Sequence, residues 1–372
     1  MKLTKEQALH CAKAYSDYFD RFERIDDYIR DQKLNSLSDR PFVLPGMGPE
    51  EDLFSDFSIH PQDMDFEIVE LPQENWDIYL NMISSHSNMT SIPGRSLRLA
   101  ILEKNTQKWV GFIRLGSPVI NMKPRNQMLG SVFTQTVEGA SAFNKTSIMG
   151  FVIVPSQPFG FNYLGGKLLA AICCSHWVRE RLNQKYNMNT CLFETTSLYG
   201  SSKASSQYDG MKPYLRFKGL TDSDFLPMMH GKPYEDLKDY VTKALGEEIV
   251  PVDTSSRKLK ISNKIISLTK VALKGEPEFD SFMKTIKNAL SLTEKKRYYA
   301  SNFGFSNFVD VVTGKTDKLI KDKENYDKHH LENIIEWWKK KAANRYESLK
   351  TENRLRTEIE VWTGDKELDI IR

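Results

Sequence analysis

The chain has 372 residues, 40% hydrophobic and 27% charged, and a formal net charge of +3 at neutral pH. That composition is of a folded globular protein, long enough for one large domain or two to three ordinary ones. No apolar run approaches the ~18 residues a membrane helix needs, and Cys11, Cys173, Cys174 and Cys191 form no CxxC pair, which fits poorly with a secreted disulfide scaffold.

Residues 4–30 carry Ala8, Cys11, Tyr15, Phe19, Phe22, Ile25 and Ile29 at helical intervals, with Thr4 and Gln7 at capping-box spacing. The opening "MKLTKEQALH" lacks the apolar core of a signal peptide, so a reducing, cytoplasmic setting is expected. A Pro- and Gly-containing acidic connection follows, and residues 1–65 are expected to form an N-terminal helix and acidic segment. From residue 66 the pattern is mixed: strand "DFEIVEL", helix "NWDIYLNMISSH", strands "RLAILEK" and "KWVGFIRL", and the apolar strand "SIMGFVIVP" at 147–155. A turn "SQPFGFNYLGGK" leads into a helix expected over 164–184, then strand "TCLFET" and a last strand "PYLRFKGL". This order predicts an α/β (α+β) fold over 66–230, one mixed sheet flanked by helices. Residues 231–372 read as a mainly helical, basic unit, containing "PEFDSFMKTIKNALSL" and "LENIIEWWKKKAANRYESL", with 252–264 as a linker.

Charge is segregated. Residues 41–80 hold ten acids and no Lys or Arg, whereas residues 91–220 hold sixteen Lys/Arg against five Asp/Glu, a net of +11. A basic middle suggests a surface that faces a polyanion. Candidate nucleic-acid contacts are Arg95, Arg98, Lys123, Arg125, Lys212, Arg216 and Lys218, the last three interleaved with Tyr214 and Phe217.

The strand 147–155, the glycine turn and the helix after it can point backbone N–H groups at a phosphate. The residues in place are Asn162, Tyr163, Leu164, Gly165, Gly166 and Lys167. The turn is neither a P-loop nor GxGxxG, and a glycine turn that merely packs helix on sheet is the competing reading. Beyond the next strand, Glu194, Tyr199, Ser201, Tyr208 and Asp209 lie where open α/β sheets place their sites. A carboxylate there can accept a proton and a tyrosine can stack on a base, or Glu194 can simply pair with an arginine. Cys173, Cys174 and His176 do not face one point on a helix, so a metal site is left unknown. His329 and His330 read as a solvated helix start.

The element order and the turn resemble the GNAT acyltransferase fold, in which [Q/R]-x-x-G-x-[G/A] holds the pyrophosphate of acetyl-CoA. Here the middle glycine is kept, while Asn162 and Lys167 replace the outer positions. "LRLAILEKNTQKWVGFIRLGSPVINMKPRNQMLG" and "CLFETTSLYGSSKASSQYDGMKPYLRFKGL" are similar to the GNAT-like domain of the Druantia anti-phage family, over about residues 95–220. The same fold group includes the Mom-type phage enzymes, which modify adenine in DNA and are linked to a metal. The resemblance implies a DNA-associated GNAT-like transferase in phage–host conflict, with acetyl-CoA or a related acyl donor, in the host cytoplasm if phage-encoded. Two alternatives stay open: a non-catalytic DNA-binding protein on the same scaffold, and an N-acyltransferase acting on another amine.

Overall fold

The computed structural model describes residues 1–23, 27–28, 31, 49–84, 94–130, 136–197, 206–221, 228–254, 257–292 and 296–360. The chain divides into two compact units, one built from Met1–Arg40 and Ser223–Glu294, the other from Pro41–Asp222 and Lys295–Glu367. The boundary expected at residue 231 is therefore not where the chain divides. The second unit takes its last strand and a long helix from the region assigned to a separate C-terminal domain.

The first unit is helical. Thr4 and Gln7 form the expected capping box at the start of Lys5–Phe19, which ends at Asp20 instead of running to residue 30. Its Cys11, Tyr15 and Phe19 bury against Leu237 and Val241 of Gly231–Leu245, Ile261 and Ile265 of Arg257–Leu273, and Phe282 and Ile286 of Glu278–Ser291. Helix Arg257–Leu273 begins inside the stretch expected to be a linker. Its polar opening "RKLK" precedes the apolar positions that bury it.

The second unit is a seven-stranded mixed sheet with helices on both faces. Its strands are β1 (Phe66–Glu70), β2 (Ser96–Glu103), β3 (Lys108–Gly116), β4 (Ser147–Pro155), β5 (Leu192–Ser197), β6 (Arg216–Leu220) and β7 (Arg297–Ser301), in the order β1-β2-β3-β4-β5-β7-β6. All pairings are antiparallel except β4 with β5. That pair runs only from Ser147↔Leu192 to Gly150↔Thr195, although β4 continues beside β3 to Pro155. β7 lies between β5 and β6, so β6 forms one margin of the sheet.

Among the described residues, the α-helices of five or more residues in this unit are α1 (Gln73–Ile83), α2 (Lys123–Leu129), α3 (Val137–Thr146), α4 (Phe159–Tyr163), α5 (Gly165–Cys173), α6 (His176–Tyr186), α7 (Phe308–Val312) and α8 (Leu331–Thr351). Alternation along the strands decides which helix covers which face. Leu99, Ile113 and Ile153 pack with Leu168 and Ile172 of α5, Val178 and Leu182 of α6 and Trp338 of α8. Ala100, Phe112 and Val152 turn to Trp76 and Leu80 of α1. The helix expected over 164–184 is two helices. Cys174 ends the first, and Ser175 caps the second, its hydroxyl accepting from the Val178 amide at 3.2 Å.

Candidate functional site: the glycine turn and the β6 margin

Glu194, expected at the end of an apolar strand, lies within β5, which continues to Ser197, and the fold encloses it. Glu194 and Arg125 are both 0% exposed. Arg125 Nη1 donates to Glu194 Oε1 at 3.0 Å, and Tyr298 on β7 donates to Oε2 at 2.9 Å. Arg125 also donates to the carbonyls of Val119 (2.7 Å) and Ile120 (2.6 Å) and lies over the Phe143 ring at 4.3 Å. Burial pushes the Glu194 carboxyl up, while Arg125 and Tyr298 pull it back. The arginine expected on a DNA-facing surface is thus the buried partner of the acid expected at a site mouth. Neither side chain is open to an external ligand. Lys123, two residues before Arg125, is exposed.

The turn between β4 and α5 is committed to the chain itself. Asn162 Nδ2 donates to the Arg356 carbonyl at 2.7 Å, and its Oδ1 accepts from the Arg356 amide at 3.1 Å. Tyr163 donates to the Ile59 carbonyl at 3.0 Å, and its own carbonyl accepts from Trp338 Nε1 at 2.9 Å. Leu164, at φ +55°, is the left-handed hinge between α4 and α5. Gly165 and Gly166 are buried. Lys167 Nζ donates to the Gln207 carbonyl at 3.0 Å and to the Asp209 carbonyl. Burial, then Lys341, lowers the Lys167 amine, against an upward pull from Asp209.

These contacts test the fit of an acyl-CoA pyrophosphate. A Cβ built on Gly166 would meet the end of the flexible Gln207 side chain, which lies against that glycine. Asn162 and Lys167 spend their polar groups inside the chain. As arranged, the Asn162 and Lys167 side chains do not fit an acetyl-CoA pyrophosphate.

Tyr199 and Ser201 lie outside the described residues. Tyr208 is buried edge-on to Tyr299 at 5.4 Å, and burial pushes its phenol up. Asp209 accepts from Tyr299 at 2.7 Å and from Arg297 Nη1 at 3.2 Å. Burial and the Asp209 contact hold the Tyr299 phenol up at about 12, partly offset by Ser206. Tyr208 and Asp209 therefore hold residues 206–209 against β7.

The surface above that network is cationic and aromatic. Phe217 is 46% exposed, with the Arg297 guanidinium 4.6 Å from its ring and Tyr299 edge-on at 5.8 Å. Arg216 and Lys218, its neighbours on β6, and Lys212 just before the strand are exposed, with Arg216 turned to the opposite face of the sheet by strand alternation. Partial burial, then the neighbouring Arg216, lowers the Lys218 amine. The structure thus groups Lys212, Arg216 and Lys218 at the β6 margin and adds Arg297 and Tyr299, which sequence reading missed. The available signal was "RYYAS", a cation followed by two aromatics, overlooked because it stands in a helical region.

Arg95 and Arg98 are half-buried on β2 and just before it. Arg95 Nη2 donates to the Ser147 carbonyl at 3.3 Å, and Arg98 stands opposite Arg114. His329 is fully buried, not solvated, with Nδ1 2.7 Å from the Cys174 carbonyl. Burial raises the thiols of Cys173, Cys174 and Cys191. Among the described residues, no three His, Cys, Asp or Glu side chains are placed to hold a metal ion. Nor is any helix among them long and apolar enough to cross a membrane.

Residues 54–205, less than half of the chain, match the family model of the Druantia protein DruA. That span covers β1 to β5, including the glycine turn and the Arg125–Glu194 pair, and stops before β6. No curated protein and no solved structure matches the chain.

Proposed function

We propose that the protein acts in defence against phage by binding single-stranded DNA along the β6 margin of its sheet. Support for the defence role comes from the match to the Druantia family model. Support for DNA comes from the exposed Phe217 beneath Arg297, with exposed Lys212, Arg216 and Lys218 on β6 and just before it. An exposed ring suits an unstacked base, worth ~1–3 kcal/mol per stacked base. The surrounding cations suit the phosphates on either side. A duplex keeps its bases stacked, which favours a single strand. The observation that carries the reading is the Phe217–Arg297 pair, an exposed apolar ring held under a guanidinium at a sheet margin.

Binding is favoured over group transfer to a base. A transferase needs an accessible base and an open donor turn. Here Glu194 is enclosed and the turn's polar groups are used within the chain.

Fluorescence anisotropy of a labelled oligonucleotide at increasing salt tests the proposal. The triple variant Lys212→Ala, Arg216→Ala, Lys218→Ala is expected to bind more weakly. Its slope of log affinity against log salt should be shallower by roughly 2, at about 0.7 per lost contact on a single strand. An unchanged slope removes these residues from the DNA contacts and the proposal with them.

A further inference from the structure

Arg98 on β2 and Arg114 on β3 are directly opposite each other in the antiparallel register. Like charges at opposed positions are destabilising in a sheet. Arg114 is 7% exposed, yet among the described residues it makes no hydrogen bond and no ion pair. Asp77 on α1 acts favourably on it without forming an ion pair, while Arg98 and burial work against its charge. Arg98 is half-buried, and its Nε is buried with no partner. Its nearest aromatic contact is Trp76, with the ring centroid 6.0 Å away. Ser96 precedes Arg98 by two positions, so it shares the same face of β2, and its hydroxyl is likewise buried without a partner.

Two buried polar groups on one sheet face, Arg98 Nε and the Ser96 hydroxyl, therefore lack partners, and the two arginines there carry the same charge. Leaving an arginine buried and unpaired is costly, and an anion lodged between the two guanidiniums removes both the repulsion and the unmet donors. Planar guanidinium forks match phosphate oxygens. Two positive charges and a hydroxyl suit a dianion better than a carboxylate. An internal phosphodiester carries a single charge, whereas a terminal phosphate carries about −1.5 to −2 at neutral pH and so matches two guanidiniums better.

We propose that Arg98 and Arg114, with the Ser96 hydroxyl, bind a terminal phosphate, supplied by a mononucleotide or by the 5′ end of a strand. The site is separate from the β6 margin and stands whether or not DNA binds there.

The test is thermal unfolding and calorimetric titration of the full chain with three probes. They are inorganic phosphate, adenosine 5′-monophosphate, and one oligonucleotide carrying either a 5′-phosphate or a 5′-hydroxyl. Phosphate is expected to raise the melting temperature of the wild type. Arg114→Met and, independently, Arg98→Met are each expected to weaken phosphate binding by about tenfold or more. Without phosphate, Arg114→Met should melt no lower than wild type, because the opposed charge is gone. Tighter binding of the 5′-phosphorylated oligonucleotide assigns the site to a strand end; equal or tighter binding of the mononucleotide assigns it to a nucleotide. No phosphate response in the wild type, an undiminished response in Arg98→Met, or equal binding of the two oligonucleotides together with no binding of the mononucleotide overturns the proposal. The Lys212, Arg216 and Lys218 triple variant should keep the full phosphate response, so failure at one site is distinguishable from failure at the other.

Discussion

Glu194→Ala is the substitution that most sharply separates a structural acid from a catalytic one. In the folded chain Glu194 accepts from Arg125 at 3.0 Å and Tyr298 at 2.9 Å, and both Glu194 and Arg125 are fully enclosed. Truncation leaves the guanidinium with the carbonyls of Val119 and Ile120 but no counter-charge. Breaking a buried pair from one side costs about 3–5 kcal/mol. The orphaned Tyr298 hydroxyl puts the expected loss towards the upper end. Set against a typical total of about 5–15 kcal/mol, that is a large fraction of the stability. Urea unfolding followed by tryptophan fluorescence should show the sheet unit's midpoint falling by roughly 1–2 M. Glu194→Gln should fall between, since one amide oxygen can serve Arg125 or Tyr298 but the amide NH₂ opposes the other donor. The double variant Arg125→Met, Glu194→Leu should recover most of the loss, because an apolar pair of similar volume needs no counter-charge. A Glu194→Ala protein that unfolds at the wild-type midpoint would refute the buried-pair account.

Three further outcomes follow from the same geometry. Trp338→Ala removes a fully buried ring packed on Phe66 and Phe159 and bonded to the Tyr163 carbonyl; it should cost about 3–5 kcal/mol in chemical denaturation, and a loss below 1 kcal/mol, on the order of a surface change, would contradict that packing. Burial holds His176 and His329 at about 4 when folded, below the ordinary histidine value of 6.5; the unfolded chain binds more protons between those values, so stability is full above pH ~6.5 and falls towards pH ~4, by up to about 3 kcal/mol per group. Equal urea midpoints at pH 7 and pH 4.5 would exclude this. Phe217→Ala should weaken single-stranded DNA binding by roughly 1–3 kcal/mol without changing the salt slope, and a change in slope would mean the ring acts by placing cations.

Much of the sheet could be read directly from residues. Strand β4 was visible because eight successive non-polar positions, 148–155, flanked by Ser147 and Ser156, fit a strand buried on both faces. Strand β7 was not, because "RYYAS" is short and its pairing with β5 depends on residues about a hundred positions away. The break at Cys174–Ser175 was hidden because helical periodicity continues across it, and only the Ser175 cap marks the new start. Helix α2 is not announced by the sequence, because Pro124, which a helix tolerates in its first turn, reads as a breaker. The site was less legible for a related reason. An acid at the end of an apolar strand signals something that satisfies its charge, but the sequence does not say whether that is a substrate or an arginine 69 positions away. Arg114 sits among apolar neighbours in "FIRL", where one cation is easily passed over. Only the strand register shows that it faces Arg98.

The central claim, that the β6 margin holds single-stranded DNA, is tested most directly by photo-crosslinking with a 5-bromodeoxyuridine oligonucleotide and peptide mapping. Crosslinks are expected at Phe217 or Tyr299 and should disappear in the triple lysine and arginine variant. Crosslinks confined to the Met1–Arg40 and Ser223–Glu294 unit, or unchanged in that variant, would contradict the account.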